Sequence, residues 1–418
     1  MNWIGFVFQS RGVSNSFQRA LDVFQRFGVH SSSFSKILRT FEHIQSYWNA
    51  RPSFPIASIL LERHPALRKE LQSFDFEWLS HGYVHHDFSK QNYPVQKQWI
   101  QRSLDLLSTN CFGFRAPYLH WNQDTLLALK DTKMLYDSSC VYFWDFPDND
   151  LTFKQKEAIK KVHQFYDPYR MKGKKSLPTF ENNYLQIPVS LPDDEILLDR
   201  LRIQSEEQLL QIWKSLICQN HDRETLFTIQ LHPERIPFFE KTLKNIHQIL
   251  KELNPPVWKA SLNQIATWWS KRNTFQWEIT MDSIHWDHSP DIHMLISKNL
   301  DGSNFKSFYG SWYSIEGHSL KWKSLELPIL AVENEGKKNI PFLKQWGYLF
   351  ELKREDRLYS LDLNRELEES DLEFLLTKHP NPLLRIAHWP KPFQSAVCLS
   401  GDIDCVTLQD FLFRIWGR

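Results

Sequence analysis

Short apolar runs alternate with segments of helical spacing from Trp3 to about Arg272. The runs predict strands at Ile4–Phe8, Phe54–Leu61, Phe76–Ser80, Phe112–Arg115, Met134–Asp137, Leu185–Ser190, Leu226–Leu231 and Val257–Ala260. Spacings of three and four residues predict helices between them, at Val95–Leu107, Glu206–Ile217 and Phe238–Leu250. This order is typical of a parallel sheet or a closed α/β barrel, in which functional groups come from the carboxyl ends of the strands.

The remaining third of the chain has a different pattern. Apolar and polar residues alternate at period two through most of Thr274–Glu335, which predicts a small antiparallel β unit. Helix and strand signals return after Pro341, and a strand at Ala396–Leu399 leads through an acidic turn to a helix beginning near Thr407. We therefore expect three parts, which are a barrel over 1–272, a β-rich unit over 273–340 and an α/β segment over 341–418.

The charges nearly cancel, since the 418 residues include 50 Lys and Arg against 49 Asp and Glu, for a net charge of +1. A phosphate-binding surface usually carries a large basic excess, so we expect no nucleic acid partner. Glycine is scarce, at 13 residues, which disfavours a glycine-rich phosphate loop. Tryptophan is abundant, at 17 residues, and suggests a large aromatic-lined core or cleft.

The sequence predicts neither a secretory signal nor a membrane span. The start has no basic n-region, and Gln9, Ser10 and Arg11 interrupt its apolar run. No stretch of 18 apolar residues occurs. The five cysteines are scattered and form no CxxC pair; they are Cys111, Cys140, Cys218, Cys398 and Cys405. We therefore expect a cytoplasmic chain with reduced thiols.

His81 and His85 stand four residues apart, directly after the predicted strand Phe76–Ser80. Neutral imidazoles are good zinc ligands, and this spacing lets two of them converge on one ion within a single turn. Two surface histidines have the same spacing, and chance alone produces roughly 0.7 such pairs in a chain with this histidine content. Asp87 is either a hydrogen-bonding neighbour of the pair or an N-cap of the next segment.

Two further strand ends carry polar residues. Arg115 ends one strand, and Pro117 then fixes the backbone so that the amide of Tyr118 can point into the barrel mouth, where an N–H stabilises an oxyanion. An ordinary strand-to-turn transition is the alternative. His232 follows Leu226–Leu231, where an imidazole acts as an acid, tunes a carboxylate or is simply structural.

Two pairs of carboxylates also follow predicted strands. Asp193 and Asp194 either line the cleft or cap the next helix. Asp402 and Asp404 flank one residue, and alternate residues of a strand point the same way, so both can reach one site. One can then bind a metal while the other accepts a proton from water. Capping of the helix near Thr407 is the alternative for one of them.

In combination these motifs resemble the polysaccharide deacetylase (NodB-homology) family of carbohydrate esterases. The resemblance covers about Ile4–Arg272 and is carried by HGYVH (His81–His85), RAPY (Arg115–Tyr118), Ile187–Asp194 and LHP (Leu231–Pro233), to which the terminal GDIDC segment adds. It implies a distorted (β/α)7 barrel that removes acetyl groups from N-acetylated sugars with a divalent metal, usually zinc.

The resemblance also implies roles for the motif residues. The implied metal ligands are His81, His85 and Asp404. The implied catalytic groups are the base Asp402, the oxyanion donor Tyr118, the acid His232 and Arg115, which orients the base. We expect the substrate cleft to be lined by Asp193, Asp194, Trp121 and Trp144. Barrel packing is the alternative for any one tryptophan.

The position of the acidic motif departs from the family pattern, in which it lies on the first strand. The first predicted strand here reads IGFVFQSRG and has no acid. The terminal strand either folds back into the barrel as a permuted first strand, or completes another copy's site in a strand-swapped homo-oligomer, or lies apart from the histidines and leaves a degenerate site. The helix and strand pattern after Pro341 favours the first arrangement.

We therefore expect a metal-dependent hydrolase that removes an acetyl group from an N-acetylated sugar or polysaccharide. The near-zero net charge suits a neutral sugar. One alternative is an amidase acting on a non-sugar C–N bond, since this barrel family also includes such members. The other is a non-catalytic glycan-binding protein with a degenerate site.

Overall fold

The structure is a computed structural model, and it describes residues 26–107, 111–132, 134–145, 151–171, 174–280, 282–287, 289–299, 305–322 and 324–416. The predicted strand Ile4–Phe8 lies outside the described residues.

The described strands are β1 (Ser53–Ile56), β2 (Glu77–Ser80), β3 (Gly113–Phe114), β4 (Tyr136–Asp137), β5 (Val141–Phe143), β6 (Thr179–Glu181), β7 (Tyr184–Gln186), β8 (Val189–Leu191), β9 (Leu226–Leu231), β10 (Val257–Lys259), β11 (Trp277–Ile279), β12 (Ser283–Trp286), β13 (Met294–Ile296), β14 (Lys306–Tyr309), β15 (Trp312–Ile315), β16 (Ser319–Lys321), β17 (Glu326–Val332), β18 (Phe350–Leu352), β19 (Leu358–Leu363), β20 (Leu384–Ile386) and β21 (Ser395–Gly401).

The described α-helices are α1 (Ser32–Trp48), α2 (Ile59–Arg63), α3 (Pro65–Leu71), α4 (Tyr93–Leu107), α5 (Gln123–Asp131), α6 (Phe153–Tyr166), α7 (Glu206–Asp222), α8 (Ile236–Glu252), α9 (Leu262–Asn273), α10 (Ile340–Trp346), α11 (Glu369–Lys378) and α12 (Leu408–Ile415). Short 3₁₀ turns cover Phe88–Lys90, Pro117–Leu119, Asp167–Tyr169, Pro233–Arg235 and Asn334–Asn339, and Glu195–Arg200 is π-helical. None of these helices has the length and apolar character needed to cross a bilayer.

The terminal strand β21 lies inside the main sheet and not at its edge. Its residues Ala396–Gly401 pair in parallel with Leu226–Leu231 of β9. On the other side β21 pairs first with β10 and then with β1, where Ser53 is opposite Ser400. The sheet continues from β1 through β2, β3, β4 and β7 to the antiparallel strand β6. Because β9, β21, β1 and β2 are parallel, their carboxyl ends meet at one edge.

The sheet curls at β4 and β7. Both strands break and then resume as β5 and β8, which form a parallel ladder of their own. Strand β8 then lies beside β9, where the amide of Thr228 donates to Ser190 Oγ at 3.0 Å and its hydroxyl donates to the Pro188 carbonyl at 2.8 Å. The fold is therefore mixed α/β with a curled sheet, in agreement with the predicted alternation of strands and helices.

Two strand predictions are wrong in their bounds. The strand predicted at Phe54–Leu61 ends at Ile56, and helix α2 begins at Ile59 and buries Leu60 and Leu61. The strand predicted at Leu185–Ser190 breaks after Gln186, because Pro188 has no N–H to donate to a ladder.

Three smaller sheets come from the remaining third of the chain. Two are antiparallel, with strand orders β11-β12-β16 and β14-β15-β13-β20. The third contradicts the antiparallel prediction for Thr274–Glu335, because β17 pairs in parallel with both β18 and β19. Its apolar run LPILAV is buried continuously, which is the pattern of a parallel strand. This sheet crosses residue 340, where we expected a boundary between two parts.

Several tryptophans pack in two cores. Trp48 and Trp213 lie between the main sheet and the helices α1, α7 and α8. Trp268, Trp269 and Trp389 lie in a second core, between helix α9 and the smaller sheets. These indoles are buried, so they belong to the core and do not line an open cleft.

Candidate metal and catalytic site

The predicted site residues converge at the edge where neighbouring parallel strands end. His81 follows β2, Arg115 follows β3, His232 follows β9, and the acidic motif follows β21. Because β21 lies between β9 and β1, its two aspartates sit between the histidine motif on one side and His232 on the other.

Backbone hydrogen bonds fix the acidic motif on both sides. The amide of Asp402 donates to the Leu231 carbonyl at 3.0 Å, and the amide of Ile403 donates to the Pro55 carbonyl at 2.7 Å. The motif therefore extends the pairing of β21 with β9 and β1 beyond the last residue of the strand.

Asp404 lies against both histidines. Its Oδ1 is 3.3 Å from Nε2 of His81 and 3.2 Å from Nε2 of His85. The three side chains are 1%, 5% and 8% exposed for His81, His85 and Asp404. Each offers one ligand atom within 4.8 Å of the others.

The contact between His81 and Asp404 places two lone pairs opposite each other. The Nδ1 of His81 donates to the Arg115 carbonyl at 2.8 Å, because a carbonyl only accepts, so the neutral ring has its lone pair on Nε2. Burial lowers the pKa of His85 to about 4, and its ring is neutral near pH 7. Asp404 Oδ1 is buried and has no hydrogen-bond partner among the described residues. The Nε2 lone pair of His81 and Asp404 Oδ1 are therefore two acceptors that face each other, and a cation between them would satisfy both.

The two separations between Asp404 Oδ1 and the imidazoles are close to those of a zinc site. Bonds of about 2.0–2.2 Å in a tetrahedral site place donor atoms about 3.3–3.6 Å apart. The measured separations of Asp404 Oδ1 from the two imidazoles are 3.3 and 3.2 Å. Two imidazoles and one carboxylate are also a usual ligand set for catalytic zinc, which leaves coordination positions open. The residues present therefore fit a divalent ion of this type.

Arg414 in helix α12 binds the other oxygen of Asp404, and no sequence pattern singled this residue out. Its Nη1 lies 2.6 Å from Oδ2, and its guanidinium carbon is 5.5 Å from the centre of the Tyr118 ring. Burial raises the pKa of Asp404, but Arg414 and His85 outweigh it and hold the pKa well below its usual range. Helical spacing after Thr407 was the available signal, and it does not show which residue reaches the site.

Arg115 holds Asp402 from a fully buried position. Its Nη1 donates to Asp402 Oδ1 at 2.8 Å, to Ser400 Oγ at 2.7 Å and to Gln230 Oε1 at 2.5 Å. Its Nε and Nη2 donate to the carbonyl and hydroxyl of Ser138 at 2.9 and 3.0 Å. The carboxylate is thereby held by a charge-assisted bond in a fixed orientation beside Asp404.

Asp194 holds His232. Its Oδ2 accepts from the His232 amide at 2.6 Å, and its Oδ1 lies 2.7 Å from Nδ1 of the ring. Burial lowers the pKa of His232, but the charge of Asp194 outweighs it, and the net effect raises the pKa to about 10. The imidazole therefore carries both protons near pH 7, and Nε2–H is a potential proton donor.

Asp193 caps the π-helical segment that follows it. Its Oδ1 accepts from the Ile196 amide at 2.8 Å. Burial, and then the neighbouring charge of Asp194, raise the pKa of Asp193 to about 7. Both aspartates are thus engaged within the protein, Asp193 as a cap and Asp194 as the partner of His232, and neither opens onto a cleft.

Tyr118 lies directly over the metal-ligand cluster. Its ring meets the His85 ring edge-on, with centroids 4.4 Å apart, and its side chain remains 36% exposed. Its φ of 61° is in the left-handed region, which is strained for a non-glycine residue and frequent at functional sites.

The two tryptophans predicted to line the cleft pack against core residues. Trp144 is 4% exposed and packs on Phe227 in the core, with ring centroids 5.5 Å apart. Trp121 is half-buried and packs against the core cluster that contains Phe114.

Asp87 binds His120, a residue that the sequence patterns did not single out. Asp87 Oδ1 accepts from the Ser89 amide at 3.1 Å, which is the N-cap that we considered, and its Oδ2 lies 3.1 Å from Nδ1 of His120. The His120 ring stacks on Tyr169, with centroids 4.3 Å apart. Lys90 pairs with the same carboxylate at 3.0 Å. This pair therefore links the histidine loop to the loop that carries Tyr118.

No family model matches the chain, and no curated protein matches it. Similar solved structures include a putative polysaccharide deacetylase from Mycobacterium smegmatis, with 16% identity, a TM-score of 0.43 and coverage of 58% of this chain and 80% of that one. A probable polysaccharide deacetylase from Pseudomonas aeruginosa PAO1 has 16% identity, a TM-score of 0.43 and coverage of 57% and 74%.

A third similar structure is the Puue allantoinase, with 14% identity, a TM-score of 0.40 and coverage of 56% of this chain and 72% of that one. The first two structures bear the name of the family that the motifs resemble. All three TM-scores lie below 0.5.

Proposed function

We propose that the protein is a metal-dependent hydrolase that removes an acetyl group from an N-acetylated sugar or polysaccharide. The observation that carries this proposal is the meeting of Asp404 Oδ1 with Nε2 of His81 and His85 at 3.3 and 3.2 Å. These three residues would hold one divalent ion, with zinc as the expected metal. The curled sheet would then correspond to the distorted (β/α)7 barrel that the motifs imply.

A divalent ion bound there supplies Lewis acidity toward water and toward the amide carbonyl. Residues of the chain supply the base, the oxyanion donor and the acid. Asp402, held by Arg115 at 2.8 Å, accepts a proton from the attacking water. The amide of Tyr118 donates a hydrogen bond to the carbonyl oxygen as negative charge develops on it. His232, which Asp194 keeps protonated, donates its Nε2 proton to the departing nitrogen.

Two ion pairs, Arg115 with Asp402 and His232 with Asp194, are intact beside the proposed metal ligands, which argues against a degenerate glycan-binding site. Arg115 and Asp402 are 0% and 8% exposed in their side chains, and His232 and Asp194 are 16% and 0% exposed. Buried ion pairs are costly unless they are fully hydrogen-bonded, so a chain that only bound glycans would gain little from two of them beside an ion site. All of these residues come from one chain, which makes a strand swap unnecessary.

Metal content and acetate release test the proposal together. We expect about one zinc per chain and release of acetate from N-acetylated chitooligosaccharides. The matched variant Asp402→Asn should keep its zinc and lose about 10²–10⁴-fold in rate, because it removes the base and leaves the ligands.

A parent protein that takes up no zinc contradicts the proposed metal site. A second result is that the parent protein takes up zinc, releases no acetate from any acetylated sugar and cleaves non-sugar amides. That result would favour the amidase alternative over the sugar deacetylase.

A further inference from the structure

Helix α12 follows the acidic motif directly and brings a cation to it. The two oxygens of Asp404 have different neighbours, since Oδ2 lies 2.6 Å from Arg414 Nη1 while Oδ1 faces His81 and His85. One oxygen of the carboxylate therefore contacts the arginine, and the other faces the two imidazoles.

The first turn of α12 is anchored independently of Asp404. Thr407 and Asp410 form a capping box, in which the Thr407 amide donates to Asp410 Oδ2 at 3.0 Å and the Asp410 amide donates to Thr407 Oγ1 at 3.3 Å. The Asp410 carboxylate, 2% exposed, also lies 2.7 Å from Nε2 of His64 and 3.4 Å from Nη1 of Arg63. These contacts hold α12 against the α2–α3 segment.

The same anchoring sets where Arg414 can reach. Arg414 is four residues beyond Asp410, so both side chains lie on one face of α12. Arg63 also lies over the Phe413 ring, 4.8 Å from its centre. With the helix held at both of its turns, Arg414 is directed to Asp404 and to the ring of Tyr118.

We infer that Arg414 is a positioning residue that presents Asp404 to the metal through a single oxygen, an inference that rests on the function proposed above. By binding Oδ2, Arg414 leaves Oδ1 as the donor that faces the imidazoles. The carboxylate then takes one coordination position of the ion and not two, and the others stay open for water and substrate. Charge-assisted bonds of this kind are short and directional, which suits a positioning role.

If Arg414 has a different role, its removal is expected to change metal affinity in the opposite direction. As a mere charge partner, Arg414 would neutralise Asp404 and repel a bound divalent ion, so its removal would strengthen metal binding. If Arg414 positions Asp404, its removal frees the carboxylate to rotate and weakens metal binding by about 10-fold or more, as with other outer-shell partners of metal ligands. The sign of the change separates the two roles.

Cobalt(II) titration of the full chain, followed by visible absorption, tests the inference. Arg414→Met removes the guanidinium and keeps an unbranched side chain. We expect its dissociation constant for Co²⁺ to rise by about 10-fold and its absorption spectrum to change, because Asp404 is no longer restricted to one donor atom. Arg354→Met is the control, since it removes an exposed arginine that pairs with Asp356 and is not among the contacts of α12 or Asp404, and it should keep the parent constant and spectrum.

A Co²⁺ dissociation constant for Arg414→Met that is unchanged or smaller, with the parent spectrum, overturns the inference. Arg414→Lys keeps the charge and loses the planar guanidinium, so we expect an intermediate constant. An affinity equal to or above that of the parent also contradicts positioning. Should Arg414→Met fail to fold, Arg414→Lys decides the question alone. If the parent chain binds no Co²⁺, the proposed metal site itself is contradicted. If parent and variant bind Co²⁺ equally, the metal site stands and only the positioning role of Arg414 is contradicted.

Discussion

Asp404 Oδ1 lies 3.2 Å from Nε2 of His85, although His85 follows an early strand of the described chain and Asp404 follows its last one. The relationship exists because β21 enters the main sheet between β9 and β1. Of the three arrangements considered for the acidic motif, this is the return of the terminal strand within the same chain. The proposed site is therefore complete only when residues from both ends of the described chain have folded together.

Replacing Asp404 should abolish the proposed metal site without unfolding the protein. Asp404→Ala removes the third ligand and leaves two imidazoles. Loss of an outer-shell partner of a ligand lowers metal affinity by about 10–100-fold. We expect the loss of the ligand itself to lower metal affinity further. Metal content after dialysis measures this, with Asp371→Ala on the exposed side of α11 as the control. Equal zinc retention by Asp404→Ala and the parent would show that the ion, if any, binds elsewhere.

Replacing Arg115 should destabilise the fold. Arg115→Met leaves Asp402 buried without its charge partner, which typically costs about 3–5 kcal/mol of unfolding free energy. Urea unfolding measures the loss. The control Arg354→Met removes an exposed arginine that pairs with Asp356 at 2.9 Å, and its stability should stay close to that of the parent because exposed pairs contribute little. Similar stabilities for the two variants would contradict the structural role given to Arg115.

The pH dependence of stability should show the contribution of His232. Its pKa is raised to about 10 in the folded chain, against about 6.5 for an ordinary histidine, so its charged form stabilises the fold. This contribution is complete below about pH 6.5 and is lost as pH rises toward 10.

We expect the free energy of unfolding of the metal-free parent, relative to His232→Gln, to decrease steadily between about pH 6.5 and 10. Groups remote from His232 titrate in both proteins and cancel in the difference. A difference that stays constant or grows with pH would contradict the pairing of His232 with Asp194.

Removing the cap of α12 should affect stability and metal binding together. Thr407→Ala deletes the oxygen that accepts from the Asp410 amide, at a cost of about 1 kcal/mol in unfolding free energy. It should also weaken Co²⁺ binding, because α12 carries Arg414. Thr152→Ala removes the equivalent cap of α6, which holds no proposed ligand or positioning residue, and should lower stability alone. Weaker metal binding in both variants would point to a general loss of structure.

Residue types and positions at strand ends make His81, His85, Asp402 and Asp404 candidates for one site. The resemblance of the combined motifs to the polysaccharide deacetylase family implies which of them would bind a metal and which would act as a base. The partners of these residues were less predictable. Arg414 and His120 lie on a helix and in a loop whose direction depends on tertiary packing, and Asp194 looked equally like a cap and a cleft residue.

The burial of the aromatic residues was also not predictable from the sequence. Seventeen tryptophans suggested a core or a cleft, and the sequence alone could not separate the two. In the structure Trp213 and Trp389 are fully buried, whereas the exposed aromatic ring over the ligand cluster is Tyr118. Burial depends on which elements face each other, and composition does not contain that information.

The sequence by itself determined the local elements and the chemical groups: the apolar strands β9 and β21, the start of α12 near Thr407, the histidine pair and the acidic motif. Local backbone preference and hydrophobic period are properties of short segments, which is why they could be read directly. Only the tertiary structure decided that β21 lies beside β9 and β1. Backbone ladders join any two apolar strands with almost the same hydrogen bonds, so the partner of a strand is selected by the packing of the whole sheet.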